Sequence, residues 1–226
     1  MESAVWKEGS SPMLWSKKKT TISELQDQIL ALKAEVSFIK ARELTHLRKL
    51  IKANEQKEPL IKAFFELQNA AYSISENIKW SVEEEVRFVE GVLSLWKQGN
   101  PESLEIKKQF LIHDPQLQIY PLITVPPIIN ALVNGYNSMK EHPVKIKFQC
   151  SSQHLQVEVS NRVNHYLEDQ ANNLETMAFK DRLLIRYAEN QQLFINSNSN
   201  LFKTTLILSK LYKRKKAFNN LLKAFF

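Results

Sequence analysis

Large apolar side chains recur in steps of three and four from Ile22 to Trp96, and in steps of two from Leu104 onward. That one change of period imposes a helical first part followed by a strand-bearing second part. Ile22, Leu25, Ile29, Leu32, Val36 and Ile39 form a coiled-coil seam, with Thr20 or Thr21 as N-cap and Glu24 in the first turn. The seam drifts through Leu44, Leu47 and Ile51 and breaks between Asn54 and Pro59. A second seam, Leu60, Phe64, Leu67, Ala71, Ile74 and Ile78, follows. Two amphipathic helices and a short turn make an antiparallel hairpin over residues 20–79. With Ile61, Phe65 and Tyr72 it carries more apolar surface than it can bury alone, so a homodimer through residues 22–78 is expected.

Ser81 and Glu84 spell a capping box that opens a third helix, with Val82, Val86, Val89, Leu93 and Trp96 on its buried stripe and Gly99–Asn100–Pro101 as its stop. Leu104, Ile106, Phe110 and Ile112 then alternate as a strand. Ile128, Ile129, Leu132, Val133 and Tyr136 mark a buried helix. Val144 to Cys150 and Leu155 to Val159 alternate about a turn at Ser151–His154. A polar loop spans residues 162–175, Met177 to Tyr187 reads as helix, and Gln192–Ile195 with Leu201–Leu208 reads as a closing hairpin. The fold class is α+β, with helices on one face of a mostly antiparallel sheet over residues 80–209.

Composition narrows the function classes. Four glycines make a glycine-rich phosphate loop improbable, and one cysteine excludes a disulfide framework and fits a reducing, cytoplasmic setting. No run approaches the ~20 apolar residues of a membrane span. The net charge is +7, but six basic residues lie after Ser209 with no acid among them, so the body has no excess that would bind nucleic acid. Residues 210–226 form a basic amphipathic tail suited to an anionic membrane surface or a partner helix. Residues 1–19, with Trp6, Trp15 and Lys17–Lys19, read as a flexible leader. His46, His113, His142, His154 and His165 are not spaced as metal ligands, and Cys150 reads as a core residue. The residues alone present no catalytic constellation.

Several strings resemble the cytoplasmic region of sensor histidine kinases of the LytS/YehU type, over about residues 22–208. Leu32–Lys33–Ala34–Glu35–Val36 is similar to the L-K-A-Q-I before that family's phosphoacceptor box, and Val82 to Val86 to its L-x-E-E-L. Ile119 to Gly135 runs without gaps against I-P-P-L-L-L-Q-P-F-V-E-N-A-I-K-H-G, the family's N box. Arg182–Leu183, Tyr187 and Phe202–Lys203–Thr204–Thr205 resemble its R-L-x-L-L-Y and G-T-T strings. The resemblance implies a dimerisation and phosphoacceptor hairpin followed by a Bergerat-type ATP-binding sandwich. It implies ATP and magnesium as cofactors, and a sensor kinase or response regulator as partner. Asn130 would face the magnesium ion, Asn161 the adenine, and Thr204 the edge of the adenine pocket.

The departures fall on the chemistry. Ile39 stands near the acceptor histidine position, and His46 lies about two turns further along. Ile129, Val133 and Asn134 replace the N-box Glu, Lys and His, and the lid glycines match Asn173–Leu174–Glu175. The expectation is a degenerate relative without phosphotransfer and with weak nucleotide binding. The alternative is an active kinase with His46 as displaced acceptor.

Overall fold

The computed structural model describes residues 12–53, 57–75, 77–100, 105–135, 142–163 and 174–212. The start of the leader, part of the 53–59 break, Leu104, Tyr136, most of the 162–175 loop and the tail beyond Tyr212 lie outside the described residues.

Helix α1, Pro12–Glu43, is 32 residues long and begins within the segment read as a leader. Leu44 then takes a left-handed conformation (φ 49°, ψ 40°), and α2, Thr45–Lys52, continues at a new angle. Such a φ is strained for a branched residue. Leu44 is nonetheless buried, with Leu47 and Ile51, so core contacts hold the break in place. Helix α3, Glu58–Tyr72, starts with a proline in its first turn and ends six residues before Ile78.

The two seams fare differently. Leu60, Phe64 and Ala71 of α3 are buried, and a Cβ placed on Gly91 would stand 2.9 Å from the Leu67 side chain. The α3 seam is thus covered by α4, Val82–Gly99, rather than left for a second copy. The α1 seam has no such cover: Ile22, Leu25, Ile29, Leu32, Val36 and Ile39 remain 57%, 52%, 52%, 61%, 47% and 40% exposed.

The capping box at the start of α4 is as the sequence predicts. Ser81 Oγ accepts from Glu84 N–H, and Glu84 Oε2 accepts from Ser81 N–H. The helix is buried on a wider arc than its stripe suggests, since Phe88, Val92 and Leu95 are also in the core. Strands β1, Trp80–Ser81, and β3, Gln118–Ile119, pair briefly on either side of it.

The main sheet has five strands in the order β2-β4-β5-β7-β6. These are β2, Ile106–Ile112; β4, Val144–Ser151; β5, His154–Arg162; β6, Gln191–Ser197; and β7, Leu201–Leu208. All neighbours are antiparallel except β2 and β4, which run parallel, with Phe110 opposite Phe148. Such a pairing needs a crossover, and helix α5, Val125–Asn134, supplies it. Val144, Ile146, Phe148, Leu155, Val157, Leu206 and Leu208 point to one face and are buried, while Lys145 on the other face is exposed and Lys147 and Gln149 are half-buried. Helices α5 and α6, Leu174–Tyr187, pack on the buried face. The result is the expected α+β sandwich.

The N-terminal hairpin shares this core. Helix α1 lies along α6, where Phe38 is buried and Lys33 pairs with Asp181 at 3.8 Å. After β7, Leu211 is buried and its N–H donates to Gln153 O, so the first residues of the tail segment are held by the domain. Among the described residues no helix is long and apolar enough to cross a membrane.

Candidate functional site

Two polar features organise the interior beside α5. The first is a pair of fully buried charges that hold the loop before it. Glu85 on α4 accepts from Leu122 N–H at 2.7 Å, Thr124 N–H at 2.9 Å and Thr124 Oγ1 at 2.8 Å. Arg182 on α6 donates to Pro121 O at 2.6 Å and Leu122 O at 3.2 Å, with its guanidinium 4.9 Å from the Phe38 ring centroid. Burial pushes the Glu85 carboxyl up, opposed by the Thr124 and Leu122 donors and by Arg182. Tyr187, also buried, accepts from Tyr120 N–H at 2.9 Å, and burial raises its phenol as well. Residues 120–124 are thereby clamped from both sides, which fixes where α5 begins.

The second feature is a cavity of about 280 Å³ between the hairpin and the domain. Its domain wall comes from the start of α5, from α6, and from β6 and β7. Its hairpin wall comes from the end of α1, from Leu44 and from α2. Asn130, Thr204 and His46 all line it. The left-handed break at Leu44 is what turns α2 so that His46 and Lys49 border this space. His46 Nε2 lies 3.9 Å from Glu175 Oε2 at the start of α6. The close approach of His46, with Lys40 and Lys49 nearby, holds the Glu175 carboxyl below its ordinary value.

A depressed carboxyl stabilises the fold above its unfolded pKa and loses that contribution as pH falls through the folded value. Acidification is therefore expected to weaken the contact between α2 and α6. His46→Ala should return the Glu175 titration toward 4.5 when followed by carboxyl NMR. An unchanged Glu175 titration in that variant would show that His46 is not its partner.

The remaining site candidates are placed elsewhere. Ile39 is on α1 but is not among the residues lining the cavity, and its side chain is 40% exposed. Asn161 is buried on β5, where its Nδ2 donates to Arg162 O at 2.9 Å and its Oδ1 has no partner among the described residues. It lies against Gly135, at which an added Cβ would meet Ala131 O at 2.5 Å and Asn161 Cβ at 3.3 Å. Only glycine allows that approach.

The residues beside α5 depart from what the family resemblance implies for a magnesium nucleotide. Asn134 Nδ2 donates to one of the two lone pairs of Asn130 Oδ1, the oxygen that the family resemblance assigns to the ion. Ile129 lines the cavity where a carboxylate would be needed, and magnesium takes carboxylates and phosphates in preference to a single amide. Among the described residues no group of three or more His, Cys, Asp or Glu could hold a metal ion.

Glu85 and Arg182 are the residues that periodicity passes over. Glu85 falls three residues after Val82 and four before Val89, on the buried stripe, and Arg182 falls between Phe179 and Leu183. A charge on an apolar stripe was the available signal.

No protein-family model matches the chain, and no curated protein does. Solved structures give a distant likeness to histidine kinase catalytic domains. The catalytic domain of histidine kinase ThkA is 12% identical over 59% of this chain and 95% of that one, with a TM-score of 0.42. The histidine kinase domain of the Erythrobacter litoralis blue-light activated kinase EL346 is 11% identical, covering 79% and 96%, with a TM-score of 0.44. Acinetobacter baumannii AdeS is 10% identical, covering 71% and 80%, at 0.42. Overlays of this quality transfer no function.

Proposed function

We propose that the chain is a signalling module of the sensor histidine kinase type that has kept the scaffold and lost phosphotransfer. It would act as a homodimer, or by pairing with a sensor kinase or response regulator of a two-component system. The observation that carries this reading is Ile129 beside Asn130, an aliphatic side chain at the position where the resemblance has a carboxylate. Ile39 at the acceptor position adds that no nucleophile stands there. The tail after Ser209, rich in lysine and phenylalanine, is read as a second, salt-sensitive contact with an anionic membrane.

Phosphoryl transfer depends on in-line positioning and charge neutralisation by a bound metal, and Ile39 and Ile129 stand where the resemblance places the acceptor and the carboxylate. Incubation with γ-labelled ATP and magnesium is accordingly expected to leave the chain unlabelled, and calorimetric titration to show weak or no nucleotide binding. The competing reading, an active kinase with His46 as acceptor, is favoured by one observation: His46 lines the same cavity as Asn130 and Thr204. Acid-labile label that disappears in His46→Ala would establish that reading and remove the first.

A further inference from the structure

The two edges of the main sheet differ in chemistry. Edge strand β2 carries Lys107 and Lys108, charges of the kind that keep an open edge from pairing with another chain. Edge strand β6 carries none, and no charged residue, proline or glycine occurs from Asn190 to Phe202. Its register against β7 runs without a bulge from Gln191 opposite Leu208 to Ser197 opposite Phe202. Among the described residues, no backbone hydrogen bond other than those to β7 reaches residues 191–197. The outer side of β6 is therefore a row of open N–H and C=O groups on an unbroken, uncharged strand.

The side chains say which strand fits this edge. Phe194 is the midpoint of β6 and is 48% exposed, with Gln192 and Asn196 exposed beside it on the same face. Leu193 and Ile195 alternate to the other face, where they are half-buried. Amide, aliphatic, aromatic, aliphatic, amide is a pattern that reads the same in both directions. Laid antiparallel on itself about a two-fold axis at Phe194, the strand sets Phe194 against Phe194, Leu193 against Ile195 and Gln192 against Asn196. Each pair is of one chemical kind and keeps to one face of the sheet. We propose that β6 is a docking edge for a second copy of this chain, paired antiparallel about Phe194, so that two five-stranded sheets become one continuous sheet. Seven residues a side fall well short of the ~20–30 of a stable interface, so the contact forms at roughly 0.1–1 mM and not at micromolar concentration. It is separate from pairing through α1, and in a chain already paired there it joins one dimer to the next.

The test uses the full chain carrying Leu32→Glu/Val36→Glu, which takes the α1 stripe out of the measurement. Sedimentation equilibrium from about 10 µM to about 1 mM is expected to show self-association in the upper part of that range. Gln192→Lys with Asn196→Lys sets like charges opposite each other at two points of the paired register and should weaken association about tenfold or more. Gln192→Lys with Asn196→Glu sets opposite charges at the same two points and should return it to the parent value or better. Both positions are exposed, so neither pair of substitutions disturbs the core. Amide exchange at residues 191–197 should slow as concentration rises, with β2 unchanged. A monomer at every concentration, equal association of the two double variants, or slowed exchange at another element and not at β6 overturns the proposal. A chain that stays monomeric but binds an unrelated extended peptide along β6 overturns the second copy as occupant and gives the edge to a partner strand.

Discussion

Glu85→Ala is expected to lower the unfolding free energy by about 2–4 kcal/mol, because buried hydrogen-bond donors lose their acceptor at roughly 1–3 kcal/mol each when left unsatisfied. Three donors, Leu122 N–H, Thr124 N–H and Thr124 Oγ1, would lose their acceptor. Urea unfolding should show an earlier midpoint at unchanged slope. Glu85→Gln keeps the volume but sets an NH₂ against an N–H, and each unsatisfied buried donor costs roughly 1–3 kcal/mol. Its loss should therefore approach that of alanine, which separates hydrogen bonding from packing. A change below about 1 kcal/mol in both variants would show that residues 121–124 hold their shape without Glu85. The pH dependence has a definite sign. Because burial raises the Glu85 carboxyl in the folded state, its contribution is complete below the unfolded value and is lost as pH rises through the folded one. Glu85→Gln removes that slope.

Leu32→Glu combined with Val36→Glu should convert the assembly to monomers while leaving the fold intact. Both side chains are exposed within one copy, so the substitutions cost the isolated chain only about 0.5 kcal/mol or less. In a dimer the six residues of the α1 stripe from each copy would be covered, each worth on the order of 1 kcal/mol when half-buried surface becomes fully buried. That total is comparable with the estimated ~4–15 kcal/mol cost of association. Two glutamates placed mid-stripe would oppose each other across the interface. Leu67→Glu is not an equivalent probe, because Leu67 packs beneath Gly91 and its replacement would disturb α3 and α4 within one copy. Sedimentation at micromolar concentration decides the matter. A monomeric parent chain, or a double variant that still sediments as a dimer, would refute dimerisation through α1.

The parts of the fold legible in the sequence are those set by local chemistry. The Ser81–Glu84 box fixes the start of α4, Gly99 and Asn100 mark its end, and strict alternation places β4 and the start of β5 within a residue of their observed limits, while β5 runs three residues beyond Val159. Periodicity says which residues share a face but not what covers that face. For that reason the two hairpin seams look alike in sequence, although α4 covers the second and leaves the first open. The parallel pairing of β2 with β4 is equally silent, since it depends on the path of the intervening crossover. At the cavity, Asn130 and Thr204 could be named from a motif resemblance. Lys40, Lys49 and Glu175 could not, because their meeting depends on the bend at Leu44 and the docking of α1 on α6.

The clamp formed by Glu85 and Arg182 also bears on how the chain reaches its fold. Its hydrogen bonds join positions 37 and 39 residues apart on the Glu85 side, and 60 and 61 residues apart on the Arg182 side. Contacts this distant in sequence come after local ones, because the loops they close must first give up their freedom. Helices α3 and α4 and the β4–β5 hairpin assemble from near neighbours, and the two charges are desolvated only once α6 settles over residues 121–124. The clamp is therefore expected to act as a latch set after the folding barrier, which folding and unfolding rates of Glu85→Ala against the parent chain would check. Its loss speeds unfolding far more than it slows refolding, and its value to the protein is measured in the lifetime of the folded state.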